Sequence, residues 1–474
     1  MIGRELERSK LINAFRANES KFAAVYGRRR VGKTYLVRKT FGEKFTFQHA
    51  GLANSNMKKQ LEAWASSLRF SFGKKVAKPK TWIDAFDQLK ELIMASDDEK
   101  KVIFIDEMPW MDTRNSNFIP ALEAFWNGWA SGRSDILLIV CGSATSWITN
   151  KLIKAHGGLH NRVNVKVPLK PFNLHECEQY SLEYKLGMSR RQILEAYMIL
   201  GGIPYYWSLL DKKKSLAQNI DSLFFHKDGD LYGEYNELYA SIFRTPDAYI
   251  KIVETLGKKK SGMTREELIL EGKMKDNGKL SEQLEDLENC GFIRKYRNLE
   301  YESKFAVYKL VDFYTIFYFD FLKANKQQDE NFWSHNQIGT GVYNAWCGLA
   351  FERLCMEHLP QIKHVLGISG ILSSCYAWRA NAEGQKKGAQ VDMVIDRADG
   401  IVNLCEMKFT KNTYRIDESE YNSILNRIVR LSECIGKDKA VRPILISANG
   451  LVQNEYSDDI QCVIDSDNLF LSVF

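Results

Sequence analysis

The sequence has no C-x-x-C pair, no apolar run long enough to cross a membrane, no internal repeat and no low-complexity tract. Its nine cysteines are scattered, an odd and unpatterned set. That argues against a disulfide framework and fits reduced thiols in the cytosol. The most aromatic stretch, Phe313 to Leu322, is short and broken by Asp320. Met1 to Arg8 is charged and has no apolar signal segment. The expectation is a cytoplasmic protein with no membrane span. Two short pairs invite a check for zinc, His156 with His160 and Cys355 with His358. Gly157 and Gly158 argue against a helix at the first, and the second lacks another pair of ligands. Zinc is expected at neither.

What remains is ordinary in composition. The chain has 474 residues, 45% of them hydrophobic and 26% charged. That length suits two to four domains with a sizeable core. Lys and Arg number 66 against 59 Asp and Glu, a net charge of +7. So mild an excess is compatible with nucleic acid but equally with a phosphate-binding nucleotide site.

The most specific stretch is Gly27 to Thr34, G-R-R-R-V-G-K-T, which fits the P-loop pattern G-x-x-x-x-G-K-[ST]. Gly27 and Gly32 permit a tight turn with backbone N–H groups facing phosphate. Lys33 is placed to reach the β/γ-phosphates, and Thr34 to ligate Mg²⁺. Phe22 to Tyr26 reads as a buried strand before the loop, and Leu36 and Val37 as apolar positions of a helix after it. Candidate ATP contacts are therefore Gly27, Arg28, Arg29, Arg30, Val31, Gly32, Lys33, Thr34 and Tyr35.

The rest follows in order. Helices are predicted over Met57 to Phe72 and Trp82 to Ala95, with a strand over Lys44 to Gln48 before them. Lys101 to Glu107, K-V-I-F-I-D-E, is a Walker B pattern: Asp106 for Mg²⁺, Glu107 for the attacking water. Leu137 to Ser143 is a second continuous apolar strand. Ser143 is a candidate polar sensor at its tip, although a helix N-cap is an equal role for Ser143, Thr145 or Ser146. Val163 to Val167 is strand-like. Arg162 before it is a candidate finger or sensor on the γ-phosphate, with a surface role as its rival. Leu174 to Leu186 and Ser189 to Leu200 read as lid helices, broken at Gly201-Gly202-Ile203-Pro204.

These elements together carry a resemblance. Gly3-Arg4-Glu5, Gly27 to Thr34, Ile103 to Glu107, Cys141-Gly142-Ser143, Leu159 to Arg162 and Gly201 to Pro204 make residues 1 to about 240 similar to archaeal-type ATPases of the AAA+/STAND-like P-loop class. The resemblance implies a five-stranded parallel sheet between helices, then a helical lid. Cys-Gly-Ser-Ala at the sensor strand departs from the family's frequent Thr-Gly-Ser-Ser.

From Pro246 to Leu310 the pattern is three helices and a hairpin, a winged-helix reading. Thr264 and Glu267 form a capping box, and Gly291 to Tyr296 returns through Ala306 to Leu310. Its basic loops, Lys258 to Lys260 and Lys273 to Lys279, offer phosphate contacts, but packing is an equal role for such a module. Beyond Phe313, Glu352 falls on a helix, Asp392 in one strand, and Glu406 with Lys408 on the same side of another. Glu352, Asp392 and Glu406 would supply oxygen ligands for Mg²⁺, and Lys408 would orient water. This arrangement resembles the PD-(D/E)XK restriction-endonuclease-like fold, although Gln390-Val391 replaces the proline before the first acid.

The expected architecture is α/β: a P-loop parallel sheet over 1–170, a helical lid over 171–240, a winged helix over 241–312, and a restriction-endonuclease-like α/β domain over 313–474. The expected function is Mg²⁺-dependent ATP hydrolysis coupled to a DNA-binding or DNA-cleaving domain. The rival is a nucleotide-dependent switch or scaffold whose nuclease-like domain only binds. No acceptor motif supports a metabolic kinase, and the sequence is compatible with an oligomer.

Overall fold

The computed structural model describes residues 1–473 except 43, 74, 155–156, 297–305 and 326–327, and of Asn336 only the backbone. His156 and the tip of the expected hairpin lie outside the described residues.

The first sheet contains β1 (Lys21–Tyr26), β2 (Phe47–Ala50), β3 (Lys101–Asp106), β4 (Ile136–Gly142) and β5 (Val165–Pro168). They run parallel in the order β2-β3-β4-β1-β5. Strands covered on both faces need apolar residues at every position, and every residue of β4 is buried. Alternate residues serve different sides. Ala23, Val25, Leu137 and Ile139 pack in one core cluster, whereas Phe22, Ala24, Leu138 and Val140 pack in another. Since β4 lies between β1 and β3, its C-terminal tip falls between the phosphate loop and the acidic end of β3. Two strands differ from expectation. β2 starts at Phe47, where pairing with β3 begins at Ile103. β5 starts at Val165, because Asn164 is spent on the β1 backbone, its Oδ1 accepting from Phe22 N at 3.0 Å.

Helices Leu174–Glu183 and Arg190–Leu200 follow, both opened by capping boxes, Asn173 with Glu176 and Ser189 with Gln192. The second stops at Gly201, with φ 60°. A Cβ at Gly202 would lie 1.8 Å from the Phe172 carbonyl oxygen, so that position requires glycine.

A smaller unit has helices Pro246–Gly257, Arg265–Gly272 and Gly278–Asn289. Its antiparallel sheet joins β6 (Met263–Thr264), β7 (Ile293–Tyr296) and β8 (Val307–Leu310) in the order β6-β8-β7. The Thr264–Glu267 capping box is present.

The third sheet is mixed. It holds β9 (Ser373–Ala380), β10 (Ala389–Arg397), β11 (Ile401–Lys408), β12 (Ala440–Ser447) and β13 (Cys462–Asp465), in the order β13-β12-β11-β10-β9. β9, β10 and β11 pair antiparallel; β11, β12 and β13 pair parallel. Val402 and Leu404 pack with Leu431 of helix Glu418–Cys434. Cys405 instead joins Ala350, Phe351 and Leu354 of helix Gly341–Glu357. Neighbouring residues of β11 thus face different helices, which sets the direction of Glu406 and Lys408.

One buried cluster runs from Leu11 and Val25 through Trp207 and Tyr314 to Phe351 and Ile446. The C-terminal sheet is therefore packed onto the preceding elements through shared apolar core. None of the nine cysteines, all of them among the described residues, is in a disulfide. Among the described residues, no helix is long and apolar enough to cross a membrane.

Candidate functional site

At the C-terminal edge of the parallel sheet, β1 leads through Gly27 to Gly32 into helix Lys33–Phe41. Both glycines are needed. A Cβ on Gly27 would meet the Leu169 carbonyl oxygen at 2.2 Å, and Gly32 has φ 90°. Lys33 Nζ donates to Gly27 O (2.9 Å), Arg28 O (2.8 Å) and Ser143 Oγ (3.1 Å). Ser143 Oγ in turn donates to Glu107 Oε1 at 2.9 Å. Beside this line, Thr34 Oγ1 donates to Asp106 Oδ2 at 2.7 Å. Sheet order explains the arrangement: the β4 tip interposes Ser143 between the loop lysine and the Walker B glutamate. Burial lowers the Lys33 pKa, opposed by Glu107, and burial raises that of Asp106. Glu107 has φ 45°, a left-handed conformation that costs a side-chain-bearing residue on the order of 1 kcal/mol.

The side chains of two loop arginines are engaged elsewhere in the chain. Arg28 is buried, paired with Asp312 and stacked 4.8 Å from the Phe292 ring centroid. Arg30 pairs with Glu234 at 2.7 Å and lies 4.2 Å from the Tyr205 ring centroid. These side chains are committed to distant parts of the chain, so what Arg28 and Arg30 retain for a phosphate is backbone N–H. Arg29 is half-buried within electrostatic reach of Glu234. Val31 is buried, and Tyr35 is half exposed beneath Lys39.

Three contacts were not singled out by the sequence reading. Arg4 Nη2 donates to Lys170 O at 2.8 Å and to Val31 O at 3.5 Å, bracing the loop from the N-terminus. The Gly3-Arg4-Glu5 turn was its only signal. Arg244 donates to the carbonyls of Pro109 (3.1 Å) and Asp112 (2.8 Å) beyond Walker B. Asn289 donates to Ser146 Oγ at 3.1 Å, docking the small helical unit just beyond the tip of β4. The Gly201–Pro204 step reaches the loop through its next residue, Tyr205, whose N–H donates to Arg30 O at 3.4 Å. Arg162 is exposed in the turn before β5, and no hydrogen bond or ion pair joins it to Lys33, Asp106, Glu107 or Ser143.

Of the two basic loops, Lys258 to Lys260 is paired with acidic side chains. Lys258 meets Glu271 at 2.8 Å, Lys259 meets Glu267 at 2.7 Å, and Lys260 lies 3.6 Å from Asp320.

Around the C-terminal sheet, burial and the nearby Asp392 raise the Glu352 pKa to about 7. Asp392 is half-buried and accepts from Gln390 Nε2 at 3.0 Å. Burial also raises Glu406, opposed by Arg427, whose Nη1 lies 3.0 Å from Glu406 Oε1. Lys408 Nζ lies 2.7 Å from Glu420 Oε1. Glu352, Asp392, Glu406 and Lys408 thus come within electrostatic reach of one another. The expected metal set of Glu352, Asp392 and Glu406 is not drawn together, however. Among the described residues, no three His, Cys, Asp or Glu side chains are arranged to hold a metal ion. Cys355 and His358 form no zinc pair: His358 is buried, accepting from Leu174 N at 2.9 Å and bonded through Nδ1 to Leu354 O at 2.8 Å.

Residues 1–210 match the family described as an ATPase domain predominantly from Archaea. An uncharacterized protein of Methanocaldococcus jannaschii is 22% identical over 469 residues, covering 96% of this chain and 97% of its own. A Walker-type ATPase of Pyrococcus abyssi is similar over 67% of this chain and 95% of that one, at 19% identity and TM-score 0.47. The ORC2 protein of Aeropyrum pernix, solved with ADPNP and ADP, is similar over 65% of this chain and 89% of that one, at 14% identity and TM-score 0.41. The segment that matches the archaeal ATPase domain, residues 1–210, thus brings the phosphate loop, Asp106, Glu107 and Ser143 together at one sheet edge.

Proposed function

We propose that the protein is a Mg²⁺-dependent ATPase whose turnover is coupled to a C-terminal, nuclease-like domain that binds or cuts DNA. The observation that carries this reading is the hydrogen-bonded line Lys33–Ser143–Glu107 with Thr34 on Asp106 beside it. The donor set fits nucleotide with magnesium. Thr34 Oγ1 and Asp106 Oδ2, 2.7 Å apart, are hard oxygen ligands at the mouth of a glycine-bounded loop. When bound, magnesium neutralises charge on the phosphate oxygens.

The chain's own groups do the rest. Loop N–H groups hold the phosphate oxygens, and Lys33 leaves the Gly27 and Arg28 carbonyls to reach them. Glu107, steadied by Ser143, accepts a hydrogen bond from the attacking water and aims it in line. Arg162, exposed before β5, is assigned the finger role toward the nucleotide of a neighbouring copy, which requires an oligomer. The small helical unit is read as a winged helix whose Lys258 to Lys260 loop serves packing, because those three lysines already face acidic partners. The C-terminal sheet with its two flanking helices is read as a PD-(D/E)XK-like domain. Cysteines without disulfides fit a cytoplasmic setting.

The test is ATP turnover with and without a panel of single- and double-stranded DNA. Glu107→Gln should lower kcat about 100-fold or more while ATP still binds, and Lys33→Ala should lose ATP binding. Unchanged turnover in both variants would sink the ATPase assignment. Turnover indifferent to every DNA would sink the coupling.

A further inference from the structure

Both chemical residues of the E-x-K strand are engaged by one helix. Glu420 and Arg427 stand seven residues apart on helix Glu418–Cys434, two turns along the same face. Arg427 Nη1 lies 3.0 Å from Glu406 Oε1 and 4.0 Å from Glu420 Oε1, while Lys408 Nζ lies 2.7 Å from the same Glu420 oxygen. Glu406 is only 8% exposed, so it has little water to fall back on. A divalent ion shared by Glu406 and Asp392 would have to sit beside a guanidinium. Arginine cannot retire from that place by losing its proton, as a lysine or histidine could. The repulsion stays in force at any ordinary pH. Meanwhile Lys408 is directed at the Glu420 carboxylate.

We infer that Arg427 is the built-in counter-ion of Glu406, occupying the side of the carboxylate that a divalent cation needs, so that this domain binds without metal-dependent cutting. The inference rests on the nuclease-like reading of β9 to β13. It concerns the cation only, and it makes helix Glu418–Cys434 a plug on the strand it packs against.

The experiment is Mn²⁺ titration of the full nucleotide-free chain, followed by electron paramagnetic resonance. It is done in an Asp106→Ala background to remove the carboxylate of the nucleotide site. The parent should hold no Mn²⁺ that depends on Glu406. Arg427→Met, which keeps the packing of the stem, should gain one Mn²⁺ with affinity up roughly tenfold or more, the scale expected when a like charge within about 5 Å is removed. Adding Glu406→Gln should abolish the gain, and Arg427→Lys, which keeps the charge, should show none. Mn²⁺ bound by the parent and lost on Glu406→Gln would overturn the inference. So would an Arg427→Met chain with native circular dichroism that gains no Mn²⁺. DNA binding by the same variants is read separately: its absence throughout would strike the nucleic-acid reading of the domain and leave the Mn²⁺ result standing.

Discussion

Arg28 in the phosphate loop and Asp312, 284 residues later, form a buried ion pair. Asp312 also caps the helix Phe313–Phe317, its Oδ2 accepting from Thr315 N at 3.0 Å and Thr315 Oγ1 at 2.6 Å. The loop is thus pinned to the start of the segment that leads into the C-terminal domain. Removing one partner of a buried pair leaves a charge without compensation, costing about 3 kcal/mol or more, whereas removing both costs far less. Asp312→Asn keeps the cap but leaves the Arg28 charge stranded, so urea denaturation should show a loss of about 3 kcal/mol. Arg28→Met with Asp312→Asn should recover most of it. A double variant as unstable as the single one would mean that Arg28 matters for its packing on Phe292, not for its charge.

Ser143 links Lys33 to Glu107, and among the described residues no other side chain bridges the two. Ser143→Ala removes a hydrogen bond to a charged group at each end. One such bond is worth about 1.5–3 kcal/mol, which as lost transition-state stabilisation is about tenfold to a hundredfold in rate. Because Lys33 and the loop N–H groups remain, ATP affinity should change little while kcat falls by that factor. Steady-state kinetics beside equilibrium ATP binding separates the two quantities. Weakened binding at unchanged kcat would make Ser143 a ground-state contact only.

What the sequence discloses depends on how far apart the partners lie. Helices Met57–Phe72 and Trp82–Ala95 are legible to the residue, because Leu61, Trp64 and Leu68, then Phe86, Leu89 and Ile93, keep the helical period behind N-caps at Asn56 and Thr81. Lys33, Thr34, Asp106 and Glu107 belong to local patterns whose spacing is fixed by backbone geometry. Arg28 and Arg30 also sit in that pattern and therefore read as phosphate contacts. The partners of their side chains, Asp312 and Glu234, are remote, and no local rule points to them. Arg427 was invisible for another reason. An amphipathic helix carrying many charges does not mark which of them turns inward, and only the position of β11 decides it.

His358 sets a pH limit on the junction between helices Leu174–Glu183 and Gly341–Glu357. It is fully buried, and burial lowers its pKa from the ordinary 6.5 to about 4. Leu174 N donates to Nε2, and Nδ1–H donates to Leu354 O, so the neutral ring is fully used. A proton on Nε2 would set two donors against each other. The unfolded chain takes up that proton below pH 6.5, the folded chain only near pH 4. This contribution to stability is therefore complete above pH 6.5 and lost as pH falls from there through 4. His49, also held near 4 by burial, acts in the same sense. Glu176, raised by burial to about 7, acts in the opposite sense, losing stability as pH rises toward 7. Comparison with His358→Gln cancels both, since glutamine can still accept from Leu174 N without titrating. Between pH 7 and pH 5, the wild type should lose about 2 kcal/mol more than His358→Gln in urea denaturation. Parallel pH profiles would mean that the folded protein accommodates a charged His358.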